Sequence, residues 1–181
     1  MKQILKRICE LQPEYSHKNT AVMQERGKLI NHALANDLKL LEPILSQSLG
    51  PFGGDFSVGS SDGKGHKTPT PWVRFQSDSM SPSPRDGYYC VIHFKCDGSG
   101  IYFTLGCGST SVSDHSILKP SEIAKKIRIA KNALEAKFGE LEGFSDQIEL
   151  GAKGKLSKSF EQATAIAKFV SIDELDEVDL T

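Results

Sequence analysis

The sequence lacks most of what would commit it to a membrane, a disulfide frame or a metal site. Its apolar runs fall far short of the ~18 residues that cross a bilayer, and Met1-Lys2-Gln3 opens no apolar leader. Membrane insertion is therefore not expected, and the cytoplasm is the expected compartment. The four cysteines, Cys9, Cys90, Cys96 and Cys107, include no CxxC pair, so reduced intracellular thiols are expected. Charge of one sign is lacking as well: 22 Lys and Arg stand against 23 Asp and Glu, and no global positive field announces a polyanionic partner. Any nucleic-acid site has to be a local patch. With 181 residues, of which 38% are apolar, one core of ordinary size is expected and a second full domain is not.

Signatures of catalysis fail mainly on spacing. Gly59-Ser60-Ser61-Asp62-Gly63-Lys64-Gly65 is one residue short between its glycines for a phosphate-binding loop, and Gly65 stands where the Mg²⁺-binding hydroxyl belongs. His17, His32, His66, His93 and His115 form no HxxxH or HExxH. Cys90, His93 and Cys96 come nearest to a ligand cluster, but the odd offset within a strand sets His93 on the face opposite both thiols. No metal, no cofactor and no catalytic residue are expected.

What is present reads as α+β. Ile4, Leu5, Ile8 and Leu11 recur at helical spacing, and Pro13 closes that run. Asn19-Thr20 can cap a second helix through Ala35, and Asn36-Asp37 a third carrying Leu38 to Leu49, with Pro43 placed to kink or divide it before the Gly50-Pro51-Phe52-Gly53-Gly54 stop. Strands follow at Phe56 to Val58, Trp72 to Phe75, Tyr88 to Cys96 and Ile101 to Cys107, the last two joined by the turn Asp97-Gly98-Ser99-Gly100. Pro120-Ser121-Glu122 opens a helix that Gly139 closes; Ile148 to Leu150 suggests a last strand and Ser157 to Val170 a last helix. Helices, then a meander, then helices argue for a curved, mainly antiparallel sheet flanked by helices from both ends of the chain.

Two loops, Gly59 to Pro71 and Ser77 to Gly87, are longer than packing requires. The first joins flexible backbone at Gly63 and Gly65 to Lys64, His66 and Lys67, and leads into the single tryptophan, Trp72, and Arg74. Main-chain N–H groups freed by glycine approach an anion closely, and the cations neutralise phosphates. The indole has two readings: a stacking platform for an unpaired base, or a core side chain at the start of a strand. Arg85 and Lys95 could extend the patch, and Asp62, Asp78 and Asp86 would dilute it.

The segments GSSDGKGHKTPTPWVRF, DGYYCVIHFKCDGSGIYFTLGCGST and IELGAKGKLSKSFEQA, in this order and spacing, resemble the N-terminal DNA-binding domain of McrB-type modification-dependent (type IV) restriction proteins. The likeness runs from the first helices to about Val170. It implies a non-catalytic domain, spanning 1–172, that finds double-stranded DNA bearing methylated or hydroxymethylated cytosine and flips that base into a pocket. GTP hydrolysis and cutting would belong to an effector nuclease or NTPase segment, and the acidic residues 173–181 would begin a linker towards it.

Carried over by the resemblance, Trp72 falls on the family's pocket tryptophan. Lys64 and Leu150 stand where aromatics are expected, and His93 where a leucine is, so the pocket departs from the family pattern. Tyr88 and Tyr89 point to opposite faces of one strand, so only one of them can line a pocket. Ser60, Ser61, Gly63, Gly65, His66, Lys67, Arg74, Arg85 and Lys95 are the expected backbone contacts. Two rivals stand beside this expectation: a protein or peptide interaction module, and a small hydrolase with a triad assembled in space.

Overall fold

The computed structural model of the chain describes residues 1–49 and 54–177. At its centre is a five-stranded sheet whose spatial order is the chain order, with every neighbouring pair antiparallel. Before and within it come α1 (Lys2–Leu11), α2 (Ala21–Lys28), α3 (Ala35–Lys39), α4 (Glu42–Leu49), β1 (Phe56–Ser61), β2 (Trp72–Ser77), β3 (Tyr88–Phe94) and β4 (Gly100–Cys107). The chain then adds α5 (Pro120–Phe138), α6 (Lys155–Gln162) and β5 (Thr164–Ser171). The class is α+β, as the order of elements implies. Among the described residues no helix is long and apolar enough to cross a membrane.

Strand alternation sorts the side chains into two layers. Val73, Ile92, Phe94 and Ile101 form the main core with Leu5 and Ile8 of α1 and with Ile30, Leu34 and Leu38. Residues paired across strands share a face, so Trp72 stands beside His93, and Tyr89 beside Gly106, on the other side of the sheet. Ile123, Ile127 and Ala130 of α5 pack on Cys107 and Ala165. α5 starts as its sequence specifies: Pro120 takes the first position and the Glu122 carboxylate accepts from Lys119 N at 3.0 Å.

Several expected elements are corrected. The helix expected over Ser157 to Val170 ends at Gln162, and Thr164–Ser171 pairs with β4 as the last strand. Ala163, Ile166, Ala167 and Val170 recur at helical spacing, but Thr164, Ile166, Phe169 and Val170 favour an extended chain, and pairing satisfies the open edge of β4. Ile148 to Leu150 is consequently no strand; Ile148 and Leu150 plug a small cluster with Ala167, and Leu150 O accepts from Cys96 N at 2.8 Å. Asn36 and Asp37 cap nothing. Ala21 to Lys39 is one helical run with a π-helical stretch at Leu29–Leu34, and Asp37 pairs with the Met1 ammonium at 2.6 Å. Pro43 does divide the apolar run, from the first turn of α4, where the missing N–H costs nothing. The glycine stop at 50–53 lies outside the described residues. The acidic end stays with the domain further than expected, since Leu175 is fully buried in the main core and Asp176 pairs with Lys6 at 2.8 Å.

Candidate nucleic-acid interface

The sheet face opposite the main core carries a cavity of about 620 Å³. Its floor is Trp72 and Arg74 from β2, Tyr89, Val91 and His93 from β3, and Thr104 from β4. Its walls are the loop after β1 with Lys64 and His66, the loop before β3 with Arg85, the loop after β4 with His115, and α6 with Leu156 and Phe160. Two hydroxyl pairs fasten α6 over the floor: Thr70 Oγ1 to Ser157 Oγ at 2.8 Å, and Ser159 Oγ to Ser109 Oγ at 2.9 Å. Among the described residues no Asp or Glu lines the cavity. Lys64, Arg74 and Arg85 supply its fixed charge, so a chain of net charge −1 still presents a cationic concavity.

The glycine-rich loop holds its course because the N-terminal helices grip its carbonyls. Tyr15 OH donates to Lys67 O at 3.0 Å, Arg26 Nη2 to Thr68 O at 2.8 Å, and Gln12 Nε2 to Pro69 O at 3.2 Å. Arg26 is itself fully buried, donates to Gln12 Oε1 at 2.6 Å and lies 5.7 Å from the Tyr15 ring centroid. Burial lowers its pKa, since no carboxylate faces it within ion-pair distance among the described residues. Gly63 has φ +114°, and a Cβ there would lie 2.1 Å from His66 O, so the turn requires glycine. Asp62 is buried beneath it, accepting from Asn31 Nδ2 at 2.9 Å and pairing with Lys67.

Arg74 is 5% exposed and has no carboxylate partner among the described residues. Among the described residues its Nη1 makes two long hydrogen bonds, to Ser81 Oγ at 3.3 Å and Ser81 O at 3.5 Å, and its guanidinium lies 5.1 Å from the Tyr89 ring centroid. Gly59, its partner across β1 and β2, leaves the space it occupies: a Cβ would stand 3.2 Å from Arg74 Nε. Burial depresses the pKa of Arg74 and, despite the nearby cation, raises that of the Tyr89 phenol. A desolvated guanidinium with so little compensation suits an incoming anion.

His93 is 6% exposed, and its ring stacks on Phe160 with centroids 5.7 Å apart and planes inclined by 26°. Its Nδ1 is buried without a hydrogen-bond partner among the described residues. Burial holds its pKa down from an ordinary 6.5 to about 4, so the imidazole is neutral at physiological pH. The unfolded chain protonates here below pH 6.5 while the native state does not, so stability present above 6.5 is lost as pH falls towards 4. At pH 5 the loss from this group is about 2 kcal/mol. We expect the difference in unfolding free energy between wild type and His93→Leu to shift by that amount, against the wild type, between pH 7 and pH 5 in urea titrations. A difference independent of pH would show that the imidazole is not held neutral.

The remaining expected site residues divide. Ser60, Ser61, Gly63, Lys64, His66, Arg74, Arg85, Trp72, His93 and Tyr89 all border the cavity. Tyr89 is thus the inward tyrosine, whereas Tyr88 OH donates to Lys126 O of α5 at 2.9 Å. Gly65 lies exposed in the same loop, outside the lining, and Lys67 is taken up by Asp62. Lys95 lies elsewhere, 3.3 Å from Asp97 and 5.6 Å from the Phe169 ring centroid. Leu150 is fully buried in the cluster with Ile148 and Ala167 and does not line the cavity.

Phe160, Leu156, Thr104 and His115 border the cavity without having been singled out from the sequence. The four-residue spacing of Leu156 and Phe160 on a short helix was the available signal. Gly59-Ser60-Ser61-Asp62-Gly63 also has the letters of a nucleophile elbow, but β1 runs from it into a loop rather than a helix, and Ser61 Oγ accepts from Gly63 N at 3.2 Å.

The model of a family described as MrcB-like, N-terminal domain, matches residues 10–180. No curated protein and no solved structure matches the chain. Residues 10–180 span nearly all of its length, and the chain accordingly belongs to the MrcB-like N-terminal domain family, a family of DNA-binding domains.

Proposed function

We propose that this domain inspects a modified cytosine flipped out of duplex DNA, and that it directs a nuclease or NTPase segment, in cis or in trans, to modified DNA in the cytoplasm. The observation that carries the reading is a cavity lined by Trp72, Tyr89 and Phe160 that, among the described residues, holds three fixed cations and no carboxylate, in a chain without positive excess. Extruding a base costs a few kcal/mol of stacking, which an aromatic surface inside the pocket can return. Trp72 is half-buried and lines the cavity, which supports a stacking role over one sealed in the core. Lys64 and Arg85 at the walls and Arg74 on the floor meet the flanking phosphates.

The test is fluorescence anisotropy with labelled duplexes containing plain or C5-modified cytosine, across a salt series. Contact with about three phosphates gives a slope of log K against log salt of about −3. The modified duplex should bind more tightly at every salt concentration. Equal affinity for plain and modified duplexes would remove base inspection and leave general DNA binding. Salt-independent affinity would favour a protein-binding groove instead.

A further inference from the structure

We infer that the outward face of α5 is a second binding surface for the DNA backbone, separate from the cavity, and that it grips plain and modified duplexes alike. The inference goes beyond the flipped-base reading and uses no step of it.

The sequence of α5 is patterned on both sides. Ile123, Ile127 and Ala130 are buried and turn one stripe of the helix to the fold. On the opposite side stand Ser121 and, four, seven and eleven residues on, Lys125, Arg128 and Asn132, all of them exposed. Every member of that row can donate a hydrogen bond, and these are side-chain types that hold phosphate oxygens. The row carries no carboxylate until Glu135 ends it, and Glu122, the other acid of the helix, is taken up by Lys119 N at 3.0 Å. Ile129 is the one large apolar side chain exposed between Ser121 and Asn132, too little for the apolar centre of a protein interface.

Positive charge is concentrated on this helix. Between Pro120 and Phe138 five Lys and Arg stand against two Glu, in a chain whose total is −1. Lys131, on the flank of α5, is paired with Asp146 at 2.6 Å, whereas Lys125 and Arg128 have no carboxylate within ion-pair distance among the described residues. Two like charges one turn apart repel mildly and give the fold nothing in return, while a polyanion lying along the row relieves the repulsion. From Ser121 to Asn132 the helix rises about 16 Å, a length over which a duplex presents several phosphates.

The surface is fixed to the cavity without belonging to it. Ser121, Lys125, Arg128 and Asn132 all lie outside the cavity lining. Yet the loop that brings His115 to the cavity wall runs on into Pro120, and Tyr88, next to Tyr89 of the floor, donates to Lys126 O at 2.9 Å. Ile123 and Ile127 pack in one cluster with Cys107, which lines the cavity. A duplex gripped along α5 is thus held in a set relation to the cavity. Lys125 and Arg128 neutralise phosphates whatever the bases, so this contact adds affinity and no discrimination.

The experiment measures affinity of the full chain for plain and modified duplexes across a salt series, with wild type, Lys125→Gln/Arg128→Gln, and Lys39→Gln/Lys137→Gln. The last pair removes the same charge from exposed positions away from the row. Circular dichroism confirms that each variant is folded. The slope of log K against log salt should be steeper for wild type, by about 1.8, than the value of about −3 set by the cavity's cations, and Lys125→Gln/Arg128→Gln should return it to about −3 on both duplexes. Raising salt from about 50 to about 200 mM should then cost wild type about tenfold more affinity than that variant. The ratio of modified to plain affinity should stay within about twofold of the wild-type ratio, and Lys39→Gln/Lys137→Gln should keep the wild-type slope. A slope unchanged in Lys125→Gln/Arg128→Gln overturns the inference and gives the row to an acidic protein surface, while the flipped-base reading, which stands on the ratio, is untouched. A slope lowered equally by Lys39→Gln/Lys137→Gln overturns it as an effect of net charge alone. A loss confined to the modified duplex overturns the separation from the cavity. Wild-type binding indifferent to salt overturns the DNA reading together with this one.

Discussion

Replacing Trp72 with alanine should weaken binding to a modified duplex by about 1–3 kcal/mol, roughly 5- to 150-fold, while binding to unmodified duplex changes little. The asymmetry follows from the geometry. The indole lines the cavity beside His93, whereas the cavity's cations, Lys64, Arg74 and Arg85, are other residues. Removing the ring therefore takes away the return on unstacking a base but leaves the electrostatic attraction in place. Trp72→Phe should recover most of the affinity, because a smaller aromatic still stacks. Anisotropy with paired plain and modified duplexes measures both quantities. An equal loss on both duplexes would mean that Trp72 supports the fold rather than the ligand.

Arg26→Met should lower the unfolding free energy by about 2–5 kcal/mol, large against the total stability of an ordinary domain. The guanidinium is fully buried and donates to Gln12 Oε1 and Thr68 O. Methionine fills similar space but leaves both acceptors unpaired in a dry environment. The loop after β1 loses one of its carbonyl anchors in the same step, so trypsin should cut after Lys67 faster than in the wild type. Urea unfolding followed by fluorescence gives the stability, and a change below about 1 kcal/mol would show that the buried cation is only tolerated.

The first helix, the hairpin around Gly98 and the capped start of α5 were legible because each is written in local chemistry: periodic Ile and Leu, a turn rich in glycine, and proline followed by an acidic residue. The last strand was not, because Ala163 to Val170 satisfies a helical stripe and a strand equally until the open edge of β4 is known. That error concealed Phe160. With the helix extended to Val170, nothing marked Phe160 as a ring turned towards the sheet, and its contact with His93 crosses 67 residues of chain. That Trp72 and Lys64 border one cavity was legible because they share one segment, while Arg74 was marked for its charge alone; its burial against Tyr89 depends on strand register. The pairing of Lys67 with Asp62 was hidden for the converse reason, since Asp62 lies five residues away on the inner side of a turn that composition does not describe.

A stretch containing Gly63, Gly65, Pro69 and Pro71 would ordinarily be read as slack. Here the carbonyls of three successive residues are occupied by side chains anchored before residue 27. The path of the loop is thus dictated from a distant part of the chain, and the outward side chains at Lys64 and His66 are free to vary without rerouting it. Such a division of labour lets a lineage exchange two or three exposed residues at the mouth of the cavity against a foundation that stays fixed.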